Sequence, residues 1–232
     1  MDSNHRYPAP KAGAIAARRH PVRSSIVSKM DKTVNTIWNY LEKIYPERIS
    51  FIDEKDPWRF LITVMLSAST TDKQAVKAAS ALFSRYPDPA SVACASVADV
   101  EALIKSAGLS KTKAPRIIAV SRYIAEKGLP SDAEELIALP GIGEKTAECY
   151  KEHVLHLPSV ICDTHFVRVA KRLGFTDTDD RSKAAAEIRE RFPEDVWSRM
   201  SMVVNLHGRV ICRPRPLCSQ CQLSSLCPSA NV

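Results

Sequence analysis

Leu139-Pro140-Gly141-Ile142-Gly143-Glu144-Lys145-Thr146 lies between two segments whose apolar residues recur at three- and four-residue spacing, the period of an α-helical face. Gly141 and Gly143 allow positive φ in a tight turn and, lacking Cβ atoms, let backbone N–H groups at the start of the next helix approach a phosphate. A plain interhelical turn has the same G-x-G signature, so the loop alone leaves both readings open. Lys145 falls in the first turn of the following helix, where the macrodipole disfavours an ammonium and favours the neutral, nucleophilic amine. A solvated lysine, or one touching phosphate, would also account for it.

Outward from this loop the pattern is helical in both directions. On the N-terminal side, Val34 to Ile44 reads as an amphipathic helix, and Asp56-Pro57 supplies an N-cap and an N1 proline before the apolar run Phe60 to Leu66. Thr70 or Thr71 can cap a helix through Tyr86, and Ser96 can cap Val97 to Ala107, with Gly108 at C′. Further helices are expected over about Lys113 to Lys127, near Ala133 to Ala138, and from Glu144 to His156. On the C-terminal side, Asp163 can cap a helix ending at Leu173-Gly174, followed by helices over Arg181 to Arg191 and Glu194 to His207. No stretch alternates as a strand does. The expectation is an all-α protein.

The chain has 232 residues, 45% of them hydrophobic, enough for a packed core, and carries a formal charge of +7. Much of the excess lies in Arg6, Lys11, Arg18, Arg19, Arg23 and Lys29, so residues 1–30 read as a disordered basic tail: a transit peptide, a DNA-binding arm, or sequence upstream of a true start at Met30. A second basic stretch, Arg199, Arg209, Arg213 and Arg215, has no acidic residue after Asp195 to balance it and suits a polyanionic partner. The sequence contains no transmembrane candidate and no secretory h-region. That predicts an intracellular protein, in the cytoplasm or nucleoid of a bacterial or archaeal cell, or the nucleus or an organelle of a eukaryotic one.

Seven cysteines are present, four of them in the array Cys212-x5-Cys218-x2-Cys221-x5-Cys227. An odd count with this local density argues against a secreted disulfide framework and for a metal, with a four-thiolate zinc site and a [4Fe-4S] cluster both compatible with the spacing. Cys94, Cys149 and Cys162 read as core residues.

Taken together, L-P-G-I-G-E-K-T-A from Leu139, C-D-T-H-F-V-R-V from Cys162 and H-G-R-V-I-C from His207 with three further cysteines resemble, in order and spacing, the endonuclease III family of helix-hairpin-helix DNA glycosylases. The resemblance covers about residues 31 to 228. It implies two helical lobes: a six-helix barrel over residues 50–157 containing the hairpin, and a cluster lobe made of 31–49 and 158–232, with DNA in the cleft between them. Lys145 matches the family nucleophile and Asp163 the carboxylate that supports it. Cys212, Cys218, Cys221 and Cys227 match the ligands of a [4Fe-4S] cluster, which would present Arg213 and Arg215 to the DNA backbone.

The implied reaction is removal of an oxidised pyrimidine such as thymine glycol, then strand nicking by β-elimination through a Lys145 Schiff base. The expected partner is double-stranded DNA with a damaged base or abasic site, with no membrane, and the protein is expected to be a monomer. Two departures stand out. Ser69 occupies the place where the family carries a gap-filling glutamine, and the Cys212–Cys218 gap is one residue shorter than the family's. Leu109 matches the apolar wedge that inserts into the stack, though a helix-terminal staple would also suit a leucine there. The alternatives are a related glycosylase for alkylated or mismatched bases, and a non-catalytic helix-hairpin-helix module that binds DNA and zinc.

Overall fold

The computed structural model describes residues 32–46 and 51–231. The protein is all-α, with no strand among these residues. The basic tail expected over residues 1–30 lies outside them. No helix among the described residues is long and apolar enough to cross a membrane. The chain divides into two compact units, one spanning Phe51–His156 and the other made from the chain from Leu157 onward together with the first helix.

The first unit contains α2 (Pro57–Ser67), α3 (Asp72–Arg85), α4 (Pro89–Ala93), α5 (Val97–Ile104), α6 (Ser110–Lys127), α7 (Ala133–Ile137) and α8 (Glu144–His153). At its centre is α2. Trp58 and every residue from Phe60 to Leu66 are buried, so this helix has no solvent face, and α3, α6 and α8 pack around it. Asp56 caps it by accepting from the Arg59 N–H at 2.9 Å, with Pro57 at the first helical position. The polar tips buried in this core have partners, as low-dielectric surroundings require: Trp58 Nε1 donates to Ser121 Oγ at 3.1 Å, and Tyr150 Oη donates to the Pro130 carbonyl at 3.1 Å.

Several boundaries differ from those the pattern suggested. Val97 to Ala107 splits into α5 and a 3-10 turn over Lys105–Ala107. The sixth helix starts at Ser110, three residues before Lys113, with Pro115 inside it. The eighth ends at His153, not His156, where the backbone turns to positive φ.

The second unit contains α1 (Lys32–Ile44), α9 (Thr164–Arg172), α10 (Arg181–Arg191) and α11 (Trp197–Val210). Its core joins Ile37 and Leu41 of α1 to Phe166, Phe175, Ile188 and Met200. Close approach of α9 and α11 depends on Gly208, where a Cβ would lie 2.9 Å from Val169 Cγ2 and 3.2 Å from the His165 carbonyl. That packing brings the end of α11, and with it the start of the cysteine array, against α9.

Candidate active site

Gly141 has φ +85°, so the loop before α8 does use the left-handed region at its first glycine. Gly143 does not: its φ is −100° and ψ 175°. The expectation of positive φ at both glycines is thus corrected, because Gly143 is the N-cap of α8 and an N-cap is normally extended. Having no side chain, it caps nothing, which leaves the start of α8 open to an external acceptor. Lys145 is the second residue of this helix and is half-buried.

In the second unit Asp163 is 7% exposed and is the N-cap of α9. One carboxylate oxygen accepts from the Phe166 N–H at 2.8 Å, and the other accepts from Asn205 Nδ2 at 2.5 Å. Asn205, itself buried, uses its amide oxygen to accept from Arg209 Nε at 2.7 Å. Asn205 of α11 therefore holds the second carboxylate oxygen, and Arg209, one turn further along the helix, holds Asn205 in turn. Capping alone would need only one oxygen. The one signal of the Asn205–Arg209 pair in the sequence is the four-residue spacing of an amide and a cation on a helix.

The four cysteines of the array line one cavity together with Leu173, His207, Ile211 and Leu217. Three of the thiols also touch a flanking polar group. Arg172 Nη1 donates toward Cys212 Sγ at 3.5 Å, Cys227 Sγ lies 3.5 Å from the Arg172 carbonyl, and Cys221 Sγ is 3.7 Å from His207 Nε2. His207 Nδ1 pairs with Tyr45 Oη at 3.0 Å, and burial holds the imidazole pKa down at about 4, which keeps the ring neutral. Burial also pushes the Cys221 and Cys227 thiols up, so their thiolate forms call for a bound cation. Among the described residues no three His, Cys, Asp or Glu side chains are placed to share one ion. A single zinc requires four sulfurs about 2.3 Å from one point, whereas an iron–sulfur cluster takes each thiolate on a different iron. The four thiols that line this one cavity are the side chains that could hold a metal group.

The remaining candidates lie at the surface. Arg213 and Arg215 are exposed, on a tight loop that Arg172 ties down by donating to the Arg213 carbonyl at 2.7 Å and the Pro214 carbonyl at 3.1 Å. Ser69 and Leu109 are exposed and both have positive φ, 61° and 51°. Leu109 is 60% exposed, so it is not a buried helix-terminal staple. Cys162 is buried as expected of a core residue, Cys149 is half-buried, and Cys94 is exposed, which corrects the core assignment for Cys94: it follows the short α4 at the surface.

A glycine-turned loop opening onto a helix with a lysine in its first turn, and a doubly held aspartate capping another, define a class. A family model described as HhH-GPD superfamily base excision DNA repair protein matches residues 62–194. An endonuclease III of Synechocystis is 36% identical over 217 residues, covering 90% of this chain and 99% of that protein, and one of Thermotoga maritima is 37% identical, covering 75% and 84%. A solved endonuclease III, caught as a trapped covalent intermediate with DNA in an estranged-adenine complex, is 30% identical and superposes with a TM-score of 0.81 over 87% of this chain and 98% of that one. The chain belongs to the endonuclease III family.

Proposed function

We propose that this protein is a bifunctional DNA glycosylase and abasic-site lyase acting on oxidised pyrimidines in double-stranded DNA. The observation that carries this reading is the close structural likeness to an endonuclease III trapped in covalent union with DNA, joined to a lysine in the first turn of α8. In the reaction, Lys145 Nζ attacks the sugar C1′ of a flipped nucleotide. The glycosidic bond breaks, and the base departs with a proton. The aminal left at C1′ then opens its C1′–O4′ bond, with O4′ taking a proton, and the resulting protonated imine acidifies the C2′ hydrogen, whose loss expels the 3′-phosphate and nicks the strand. Asp163 supports positive charge on the sugar and takes part in proton transfer. Gly141, Gly143, Arg213 and Arg215 contact the DNA backbone, while Ser69 and Leu109 enter the space the nucleotide leaves. Cys212, Cys218, Cys221 and Cys227 would hold a [4Fe-4S] cluster, which when bound cross-links the end of α11 to the C-terminal loop.

Borohydride trapping on duplexes carrying thymine glycol or an abasic site tests the reading. Covalent complexes on both, absent in Lys145→Ala although that variant still binds DNA, are the expected result. Continued nicking by Lys145→Ala would remove the lysine from its assigned role. Ser69, a short hydroxyl where the family carries glutamine, favours a second reading in which another damaged or mismatched base is preferred. Trapping on the abasic duplex alone would point to it.

A further inference from the structure

Lys113 is a buried cation, 7% exposed, in the second turn of α6. Its ammonium donates to three backbone carbonyls, Leu66 O at 2.8 Å, Ala68 O at 2.8 Å and Ala107 O at 2.9 Å. Three acceptors use all three N–H groups of the charged form, and a neutral amine has only two to give. Burial pulls the pKa of this lysine below its ordinary value, so the charge is kept in the interior against a desolvation cost. All three partners are main-chain oxygens.

The position of these carbonyls is informative. Ala68 O belongs to the peptide immediately before Ser69, and Ala107 O lies two residues before Leu109. Ser69 and Leu109 hold the left-handed conformation that L side chains rarely adopt. Leu66 is near the end of α2, where Thr70 N turns to the Ser67 carbonyl at 3.3 Å, and Lys113 satisfies the Leu66 carbonyl instead. The Lys113 backbone N–H donates to the Leu109 carbonyl at 2.9 Å, so this one residue grips the Leu109 turn on both sides. A single charge thus ties two loops, more than 35 residues apart in sequence, into one frame.

We propose that Lys113 is a positioning residue for nucleotide flipping, an internal strut that holds the Ser69 and Leu109 loops ready to enter the DNA stack. The assignment rests on the glycosylase reading of those two loops. Residues that enter a base stack must resist being pushed back, and two loops ordered separately on DNA would each lose conformational freedom during binding. With the strut in place, that ordering cost falls on folding instead. Lys113 touches no substrate and acts through the two loops alone.

Two measurements on Lys113→Met test this, with helical circular dichroism as the check on folding. The first is amide hydrogen exchange. Faster exchange in both 66–71 and 107–112, with α3 and α8 unchanged, is expected, and unaltered protection, or loss in only one segment, overturns the strut. The second compares excision of thymine glycol from a fully paired duplex and from an unpaired bubble, where flipping costs little. Excision from the duplex should fall by about 10- to 100-fold and from the bubble by less than about 3-fold; an equal loss on both substrates refutes a flipping role. If Lys113→Met does not fold, Lys113→Gln, which keeps two donors, enters the same comparison. Should the native protein excise thymine glycol from neither substrate, the oxidised-pyrimidine reading fails while the exchange experiment still decides whether the loops are tied together.

Discussion

Asp163 has two separable tasks, capping α9 and presenting a carboxylate, and one substitution divides them. Asparagine caps a helix about as well as aspartate, so Asp163→Asn should keep the thermal midpoint within a few degrees while slowing base release by about 10²- to 10⁴-fold, the usual worth of a positioned acid or base. Single-turnover kinetics beside a melting curve would show both, and near-normal turnover would leave Asp163 as a cap only. Asn205→Ala probes the same carboxylate from the other side. It strips Asp163 of one donor and leaves Arg209 Nε without its 2.7 Å acceptor, at about 1–3 kcal/mol for the broken buried network. The expected outcome is a lower kcat with little change in KM, because the substrate's own contacts persist. At this scale legibility was uneven. The first-turn position of Lys145 and the cap at Asp163 were readable from local spacing, but Asn205 reaches Asp163 across 42 residues and Lys113 reaches Leu66 across 47. Contacts of that kind arise only when helices pack, and no periodicity announces them.

Among the elements, the long helices were readable because burial imposes a repeating stripe and because Asp56, Thr71, Ser96 and Asp163 all cap through their side chains. The short α4 carries no such stripe. Asp88 and Ser91 form a reciprocal capping box with Pro89 at the first position, but five residues are too few for an apolar period to appear. Gly141→Ala carries a prediction about the loop before α8. At φ +85° a side chain is strained, and its Cβ would press within 2.6 Å of Arg116 Cδ. A loss of about 1–2 kcal/mol in stability is expected, with weaker binding to any duplex, whatever its sequence; a gel-shift series on unrelated sequences would check it. The α9–α10 connection gives a pH prediction. Thr176 Oγ1 donates to Glu187 at 2.6 Å and the Asp177 N–H at 3.1 Å, which holds the Glu187 carboxyl below the usual value. A folded pKa lower than the unfolded one, about 4.3, contributes stability that is complete above that value and disappears as pH falls through the lower folded pKa. The Tm difference between the native protein and Glu187→Gln should accordingly be constant near neutrality and shrink in that acidic window.

For the molecule as a whole, the second unit is distinguished by four thiols that line one cavity. Its core brings α1 against α11, but the chain after Val210 has only a 3-10 turn and isolated turns. Backbone bonds such as Leu217 N–H to the Ile211 carbonyl at 3.1 Å and Cys227 N–H to the Leu223 carbonyl at 2.8 Å shape this segment, Leu223 anchors it in the core, and its thiols line one cavity. The shortened Cys212–Cys218 gap is accommodated because Arg172 binds the Arg213 and Pro214 carbonyls, drawing the loop against α9 and placing Cys212 at the cavity. Metal content and colour distinguish the two metals that the cysteine spacing leaves open. A polynuclear iron cluster predicts a brown protein with about four irons and four acid-labile sulfides per chain; a colourless protein with one zinc would mean that the thiols close together on a single ion. Cys227→Ser removes the ligand nearest the chain terminus, and because binding energy at a structural site is folding energy, loss of metal should come with a lower melting temperature. Hydrogen exchange would locate the damage, with protection lost in α9, α11 and the segment after Val210. Retention of that protection in the metal-free variant would show that the helical core of the second unit stands without its cluster, and that the cysteines serve the DNA-facing loop alone.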